Sequence, residues 1–481
     1  MRQMAHSAVA AWSLILLSAV WDRSAAQELA ANPPEPNAAA LDTDGPNPAT
    51  PQFPIEVVPS DSGVAVGNDI VCPPGFSSPS DTIEFTPATH GVVYDDGWIL
   101  RPLDPYRTPF ELKVNFHDQF RYTGFANQQS SVVNSAGQTV PTPGRNDFDI
   151  NRGRLVFSGY AIDPLVEFYT NIDYNTVAET QIQLLMAWIR HPFSPGFNLA
   201  YGLGKVPGTW EWLESARFTL GAERSLATTF FRPSITTGIW AEGEPIPGWH
   251  YHVLVGNGFN TIGLDLSERD AHFVYSEMLW WEPLGSFGDG FSDLEDHESP
   301  VVRIGHAFTF NRHGPDPTGE PGPEQTAVRL SDGTRIVEPG ALAPGVTVNQ
   351  FDISLLALHA GVKYRGYSLS GEYFFRWLTS IEGNGPINES ELFDHGFFVQ
   401  AGAFIVPQTV ELYGRGSAVF GPFGNGSELG AGVNWYVMQE RNWRFTGDVA
   451  YIEDSPAQQD RTGFTAGASG TLFRFQTWIF F

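Results

Sequence analysis

From Phe110 onward the chain alternates apolar and polar residues with a period of two. In FELKVNFHDQFRY, Phe110, Leu112, Val114, Phe116, Phe120 and Tyr122 fall on one face. Glu111, Lys113, Asn115, His117, Gln119 and Arg121 fall on the other, and only Asp118 interrupts the apolar side. That period belongs to an extended strand with one greasy and one polar face. Segments of the same texture recur near 148–160, 164–174, 181–190, 197–206, 234–242, 249–256, 271–282, 300–310, 352–364, 367–377, 395–405, 408–417, 427–438, 442–452 and 471–481. With 110–122 they predict sixteen strands.

The spacers alternate as well. About 25 residues separate the first two strands, and only Ala161, Ile162 and Asp163 the next two. Residues 207–233 and 311–351 are long, while 243–248 and the pair Arg365 and Gly366 are short. Residues 282–299 break the rule, being long where a tight turn is expected. Long and short in alternation predict an all-β fold, a transmembrane antiparallel up-and-down β-barrel of about sixteen strands. After the first 26 residues no segment has eighteen consecutive apolar residues. A closed barrel is the other structure that satisfies every backbone group in lipid. Rings at strand ends (Trp188, Trp240, Trp249, Trp280, Trp281, Trp377, Trp435, Tyr436, Trp443 and Trp478) fit girdles at the lipid–water boundary. A pair of soluble β-sandwiches would alternate too, but gives no reason for those rings.

Ahead of the barrel, 106–481, stand two other segments. Residues 1–26 read as a cleaved signal peptide: Arg2, an apolar run over 8–20, then Ser24, Ala25 and Ala26 before Gln27. Residues 27–105 are rich in Pro, Ala and Asn, which predicts a flexible, disordered periplasmic arm. The chain closes on FRFQTWIFF. There Phe473, Phe475, Thr477, Ile479 and Phe481 alternate toward lipid and Arg474 and Gln476 toward the lumen. A terminal Phe on such a strand resembles the signal that hands outer-membrane proteins to the barrel assembly machinery.

Composition narrows the chemistry. The 54 acidic residues against 27 basic, a net charge of -27, exclude nucleic acid as a partner. Cys72 is the only cysteine, so neither an internal disulfide nor a thiolate metal site is available. His250 and His252 share a face, and Asp289, Asp293, Glu295, Asp296 and Glu298 make an acidic turn. We read the first as a wet strand face and the second as a solvated turn, with no metal and no cofactor expected. No Gly-rich phosphate loop, H-E-x-x-H or G-x-S-x-G is present, so no enzyme is expected.

One stretch is more specific. AYGLGKVPGTWEWLESARFTLGAERSLATTFFRPSITTGIWAEGE is followed by GWHYHVLVGNGFN. Its features are Gly204-Lys205-Val206-Pro207 ending a strand, Glu214-Ser215 and Glu223-Arg224-Ser225-Leu226 in a loop, and Asn257-Gly258-Phe259-Asn260. Together with INRGRLVFSGY, which puts Arg152 and Arg154 on one face, it resembles the phosphate-selective porin O and P family of Gram-negative outer membranes. The resemblance implies a sixteen-stranded diffusion channel, assembled as a homotrimer in the outer membrane of a Gram-negative-type bacterium. It also implies that 207–233 is the third outer loop, which in general porins narrows the pore. That loop is helix-compatible. Its Glu211, Glu214, Arg217, Glu223 and Arg224 either line a constriction or pin the loop to the wall.

Strand phase turns Lys113, Arg121, Arg152, Arg154, Lys205, Arg303, Arg376, Arg415, Arg444 and Arg474 into the lumen. Glu111, Glu167, Asp173, Glu372, Glu411 and Asp448 join them, and lysine is scarce at three residues. The expected function is a water-filled channel for passive diffusion of small polar solutes or ions. Anions such as phosphate enter only through the resemblance. The alternative is an adhesin or structural envelope barrel acting through its long outer loops.

Overall fold

The computed structural model describes residues 90–102, 109–178, 181–259, 272–314, 328–459 and 461–481. The signal-peptide segment, Cys72 and most of the arm lie outside these.

Two short strands come first, β1 (His90–Tyr94) and β2 (Trp98–Pro102). The wall begins with β3 (Phe110–Asn127); β4 (Ser131–Val133) and β5 (Thr139–Pro141) form a small hairpin in the first outer loop. The wall continues with β6 (Arg145–Ala161), β7 (Asp163–Tyr174), β8 (Ile182–Ser194), β9 (Phe197–Lys205), β10 (Ile235–Ile246) and β11 (Trp249–Gly256). Then follow β12 (Val274–Trp281), β13 (Val301–His313), β14 (Val348–Tyr364), β15 (Tyr367–Gly383) and β16 (Glu391–Val406). The last four are β17 (Val410–Gly421), β18 (Gly424–Tyr436), β19 (Trp443–Glu453) and β20 (Gly470–Phe480). Each of these wall strands pairs antiparallel with the next, and β20 returns to β3 from Gly470↔Asn127 to Phe480↔His117. The result is a closed barrel of sixteen strands, each overlapping one of the predicted segments.

The barrel is apolar outside and polar inside. On β3 the polar face (Asn115, His117, Gln119, Arg121 and Thr123) is buried while Phe120 is bare. On β20 Leu472, Arg474, Gln476 and Trp478 are buried, and Phe473 and Phe475 are exposed. A sandwich would cover the apolar face instead. Around the wall, Ile239, Val253, Val255, Ile304, Leu358, Leu369, Val399, Leu412, Leu429 and Val449 stand in the open. Rings border that band. Near the rim of short turns, Trp249 stacks on Trp281 at 5.3 Å, beside Tyr364, Tyr367, Trp435 and Trp443. Further up, Trp377 meets Phe393 at 5.4 Å, and His395 meets Phe420 at 5.1 Å. The ten residue steps of β15 from Tyr367 to Trp377 climb about 25 Å at ~3.3 Å per residue and a tilt of about 40°, the height of an outer-membrane apolar band.

Three features depart from the sequence reading. Residues 90–102, assigned to the flexible arm, fold as the β1–β2 hairpin around Asp95, Asp96 and Gly97. Because β20 stops at Phe480, the lower edge of β3 is free, and β2 pairs there from Trp98↔Val114 to Leu100↔Leu112. Asn442 Nδ2 ties the hairpin to the β18–β19 turn by donating to Asp96 Oδ1 at 2.8 Å. Secondly, β17 and β18 meet at Gly421↔Gly424, a tight turn on the rim of long loops. The third departure is the segment 282–300, which turns into the lumen.

Candidate pore and its constriction

The third outer loop, residues 206–234, folds inside the barrel and is mostly buried. It carries α1 (Trp210–Leu213), a 3-10 turn (Ala216–Phe218) and α2 (Leu226–Phe231). Helices this short do not form alone in water. Their free backbone groups are satisfied by the loop itself and by the barrel wall. Glu372 on β15 accepts from Trp210 N at 2.6 Å and Glu211 N at 2.8 Å, capping α1 from across the lumen. Lys205 donates to the carbonyls of Trp212, Leu213 and Glu214 at 2.8–2.9 Å, closing the other end. Ser225 caps α2 by accepting from Thr228 N, and Glu211 accepts from both Ser225 N and Ser225 Oγ. Glu428 and Ser417 on the far wall accept from Leu226 N (2.8 Å) and Ala227 N (2.9 Å). The loop therefore leaves β9 and spans the lumen to β15–β18.

Charges hold it there. Glu223 takes Arg152 at 2.7 Å and Arg121 at 3.4 Å. Arg415 donates to Glu223 O at 2.7 Å while pairing with Glu428 at 2.6 Å. Arg444 donates to Thr219 O at 2.8 Å, and Asn434 Nδ2 to Leu220 O at 2.9 Å. Asp448 accepts from Ala222 N at 3.2 Å and pairs with Arg474 at 2.8 Å. Within the loop, Arg224 donates to Glu211 O and Glu214 O and lies on the Trp212 ring. Burial alone would push the Glu223 carboxyl up. The Arg152 and Arg121 guanidiniums outweigh it and hold the carboxyl well below the usual carboxylate range.

The other predicted lumen residues occupy separate places. Arg154 pairs with Asp173 at 3.3 Å, where Arg461 from the last outer loop also binds. Arg376 pairs with Asp394 at 2.7 Å and covers Phe230. Arg303 sits between Trp210 and Trp280, 3.6 Å from Glu214. Arg217 lies on Phe480 with its Nη1 buried and unpartnered among the described residues. Lys113, opposite Ile99 of β2, is at the lower rim and away from the loop. Arg121, Arg152, Arg154, Arg303, Arg376, Arg415, Arg444 and Arg474 are each at most 9 % exposed. The sequence did not single out Glu428, Ser417 or Asn434, whose bonds reach partners far away in the chain, nor Asp394, which faces Arg376 across adjacent strands.

The segment 282–300 fills the lumen below the loop on the β13–β19 side. Phe287 and Phe291 pack on Trp210 with ring centroids 5.5 and 4.7 Å apart, and Phe291 N donates to Phe218 O at 3.3 Å. The acidic turn is solvated at Asp289, Glu295, Asp296 and Glu298, which are exposed, and anchored through the buried Asp293 and the pairs that surround it. Asp293 Oδ2 accepts from Gly366 N at 2.8 Å, Glu295 pairs with Arg441 at 2.6 Å, and Lys363 donates to Asp289 O at 3.0 Å. Asp293, Glu295 and His297 offer ligand atoms within 4.8 Å of one another. The Asp293 oxygens are already engaged by Gly366 N and His297. One apolar cluster joins these parts: Trp210, Phe231, Phe287 and Phe291 from the inserted segments, with Leu355, Phe374, Phe398 and Val419 from the wall.

The β7–β11 side differs. There Glu167, Arg190 and Glu242 form a bridged trio at 2.6 and 3.0 Å with side chains 29–33 % exposed.

No family model matches the chain, and no curated protein matches it. Solved structures with a similar course of chain include the outer-membrane expressed OmpT of Vibrio cholerae, at 10% identity over 77% of this chain and 98% of that one, with a TM-score of 0.46. OprB of Pseudomonas putida matches at 11% identity over 77% and 94%, with a TM-score of 0.46. The outer membrane channel DcaP of Acinetobacter baumannii matches at 7% identity over 77% and 97%, with a TM-score of 0.42. At that level of similarity no function transfers.

Proposed function

We propose that the protein is an outer-membrane channel of porin type that passes small polar solutes or ions passively. In this reading it is exported by a cleaved signal peptide and inserted by the barrel assembly machinery of a Gram-negative-type bacterium. The carrying observation is the charged inner wall inside a closed barrel whose outer wall is apolar. Buried ion pairs add little to stability compared with apolar packing of the same volume. A lining of this kind is chemistry suited to water and solutes. Flux runs past the third outer loop, whose anchors set the width of the route.

The phosphate preference implied by the resemblance draws on Arg121, Arg152, Arg154, Arg415, Arg444 and Arg474. Each is matched by a carboxylate or a carbonyl. We therefore propose weak selectivity, with phosphate as one small anion among others. A homotrimer is the proposed assembly. Its support is the pair Glu277 and His306, 4.0 Å apart on the outward face, where β11 and β12 are only eight residues long. Lipid disfavours charge at that depth.

Bilayer conductance and swelling of liposomes in sugars of increasing size test the reading. Small sugars should enter and large ones should not. Folded protein that passes neither ions nor small sugars would overturn it and leave the adhesin or structural barrel.

A further inference from the structure

The β7–β11 side of the lumen, away from the 282–300 segment, has its own arrangement of side chains, with Trp240 buried against Ala200, Leu254 and Val274 and Trp188 partly open beside it. Alternation along the strands points Tyr169 of β7, Trp188 and Arg190 of β8, Trp240 and Glu242 of β10 and His252 of β11 inward, while Ile189, Ile239 and Val253 are bare outside. Arg190 meets Glu167 on the neighbouring β7 at 2.7 Å and reaches over β9, whose Ala200 and Gly202 offer no bulk, to Glu242 at 3.0 Å. Next to this fork the rings run in series. Tyr169 stacks on Trp188 (5.2 Å, 10°), Trp188 stands edge-on to Trp240 (6.3 Å, 83°), and Trp240 stacks with His252 (6.3 Å, 26°). The Arg190 guanidinium lies 5.7 Å from the Trp188 ring centre. His252 Nε2 is buried without a partner among the described residues.

We propose that this wall is a subsite for neutral carbohydrate, a mono- or oligosaccharide moving through the barrel. The inference rests on the channel reading above. Sites for small molecules combine an apolar, aromatic wall with a few placed polar groups, which is the composition here. The C–H-bearing face of a pyranose suits the negative face of an aromatic ring. Its hydroxyls both donate and accept, matching a guanidinium and two carboxylates that are still about a third open to solvent. The fork has two acids and one base, so its charge turns away phosphate. A cation finds both carboxylates already held by Arg190, whose own charge lies beside the Trp188 ring.

The test is binding, read without flux. Full-length protein in detergent is titrated with maltotriose, following tryptophan fluorescence and heat. Saturable binding in the millimolar range is expected. Trp188→Ala and the isosteric Glu242→Gln should each weaken it by about threefold to tenfold, and phosphate should not compete. Far-UV circular dichroism shows that each variant is folded. The proposal is overturned if the folded wild type shows no saturation, if both variants bind as the wild type does, or if phosphate displaces the sugar. A protein that conducts ions but binds no sugar sinks this proposal alone. One that binds sugar but conducts nothing sinks only the channel.

Discussion

The two halves of the lumen obey opposite rules. On the β13–β19 side, inserted segments meet the wall through Phe287, Phe291, Trp210 and Phe374, and the wall charges are paired and dry. On the β7–β11 side, Glu167, Arg190 and Glu242 form a bridge that water still reaches. The same alternating strands build both. What differs is whether a loop supplies the groups that replace water, since an inward charge is tolerated only when hydrated or matched.

Removing residues 209–232 should erase the contrast. We expect single-channel conductance to rise several-fold, with the wall arginines hydrated rather than stranded. An unchanged conductance would put the loop outside the path.

Glu223→Gln should be the most damaging single change. It leaves Arg121 and Arg152 buried without their counter-charge, at a cost of about 3–5 kcal/mol, readable as a lower unfolding midpoint. The same carboxylate predicts a pH response. Its folded pKa lies below the unfolded value. Its stabilisation is therefore present above an unfolded pKa of about 4.3 and is lost as pH falls below it. Conductance should stay level from neutrality down through the ordinary carboxylate range and climb only as pH falls through the lowered folded pKa, a dependence that Glu223→Gln removes.

Phe291→Ala should cost about 3 kcal/mol through a cavity beside Trp210. It should widen the lower half of the lumen while maltotriose binding on the other half persists. Equal losses on both sides would end the division. The smallest effect is expected from Glu277→Leu. Crosslinked trimers should decline if that face meets another protomer. If instead the folded barrel gains about 1–2 kcal/mol with assembly unchanged, the face meets lipid.

How much of this was legible in sequence depended on range. The sixteen strands and their facing were readable because period two is local: Arg474 and Gln476 inward, Phe473 and Phe475 outward. The third loop announced itself as a helix-compatible run whose charges would either line a constriction or pin it to the wall. Its anchors did not, because Glu372 is 162 residues from Trp210 and Glu428 is 202 from Leu226. Residues 282–299 were visible as too long, yet two phenylalanines among Gly, Ser and Asp gave no direction, and nothing local marks Asp293 as the buried member of an exposed acidic turn. The β1–β2 hairpin was overshadowed by its Pro-rich surroundings. The signal was there, in Asp95-Asp96-Gly97 between two apolar runs.

That hairpin has a consequence at the seam. Closing a sheet with stagger leaves a stretch of β3 whose backbone donors and acceptors face no neighbour. An open edge of this kind is a template for strands of other molecules. By lying along it, β2 occupies the position an intruding chain would take. The residues just ahead of the barrel thus cover this edge against mispairing.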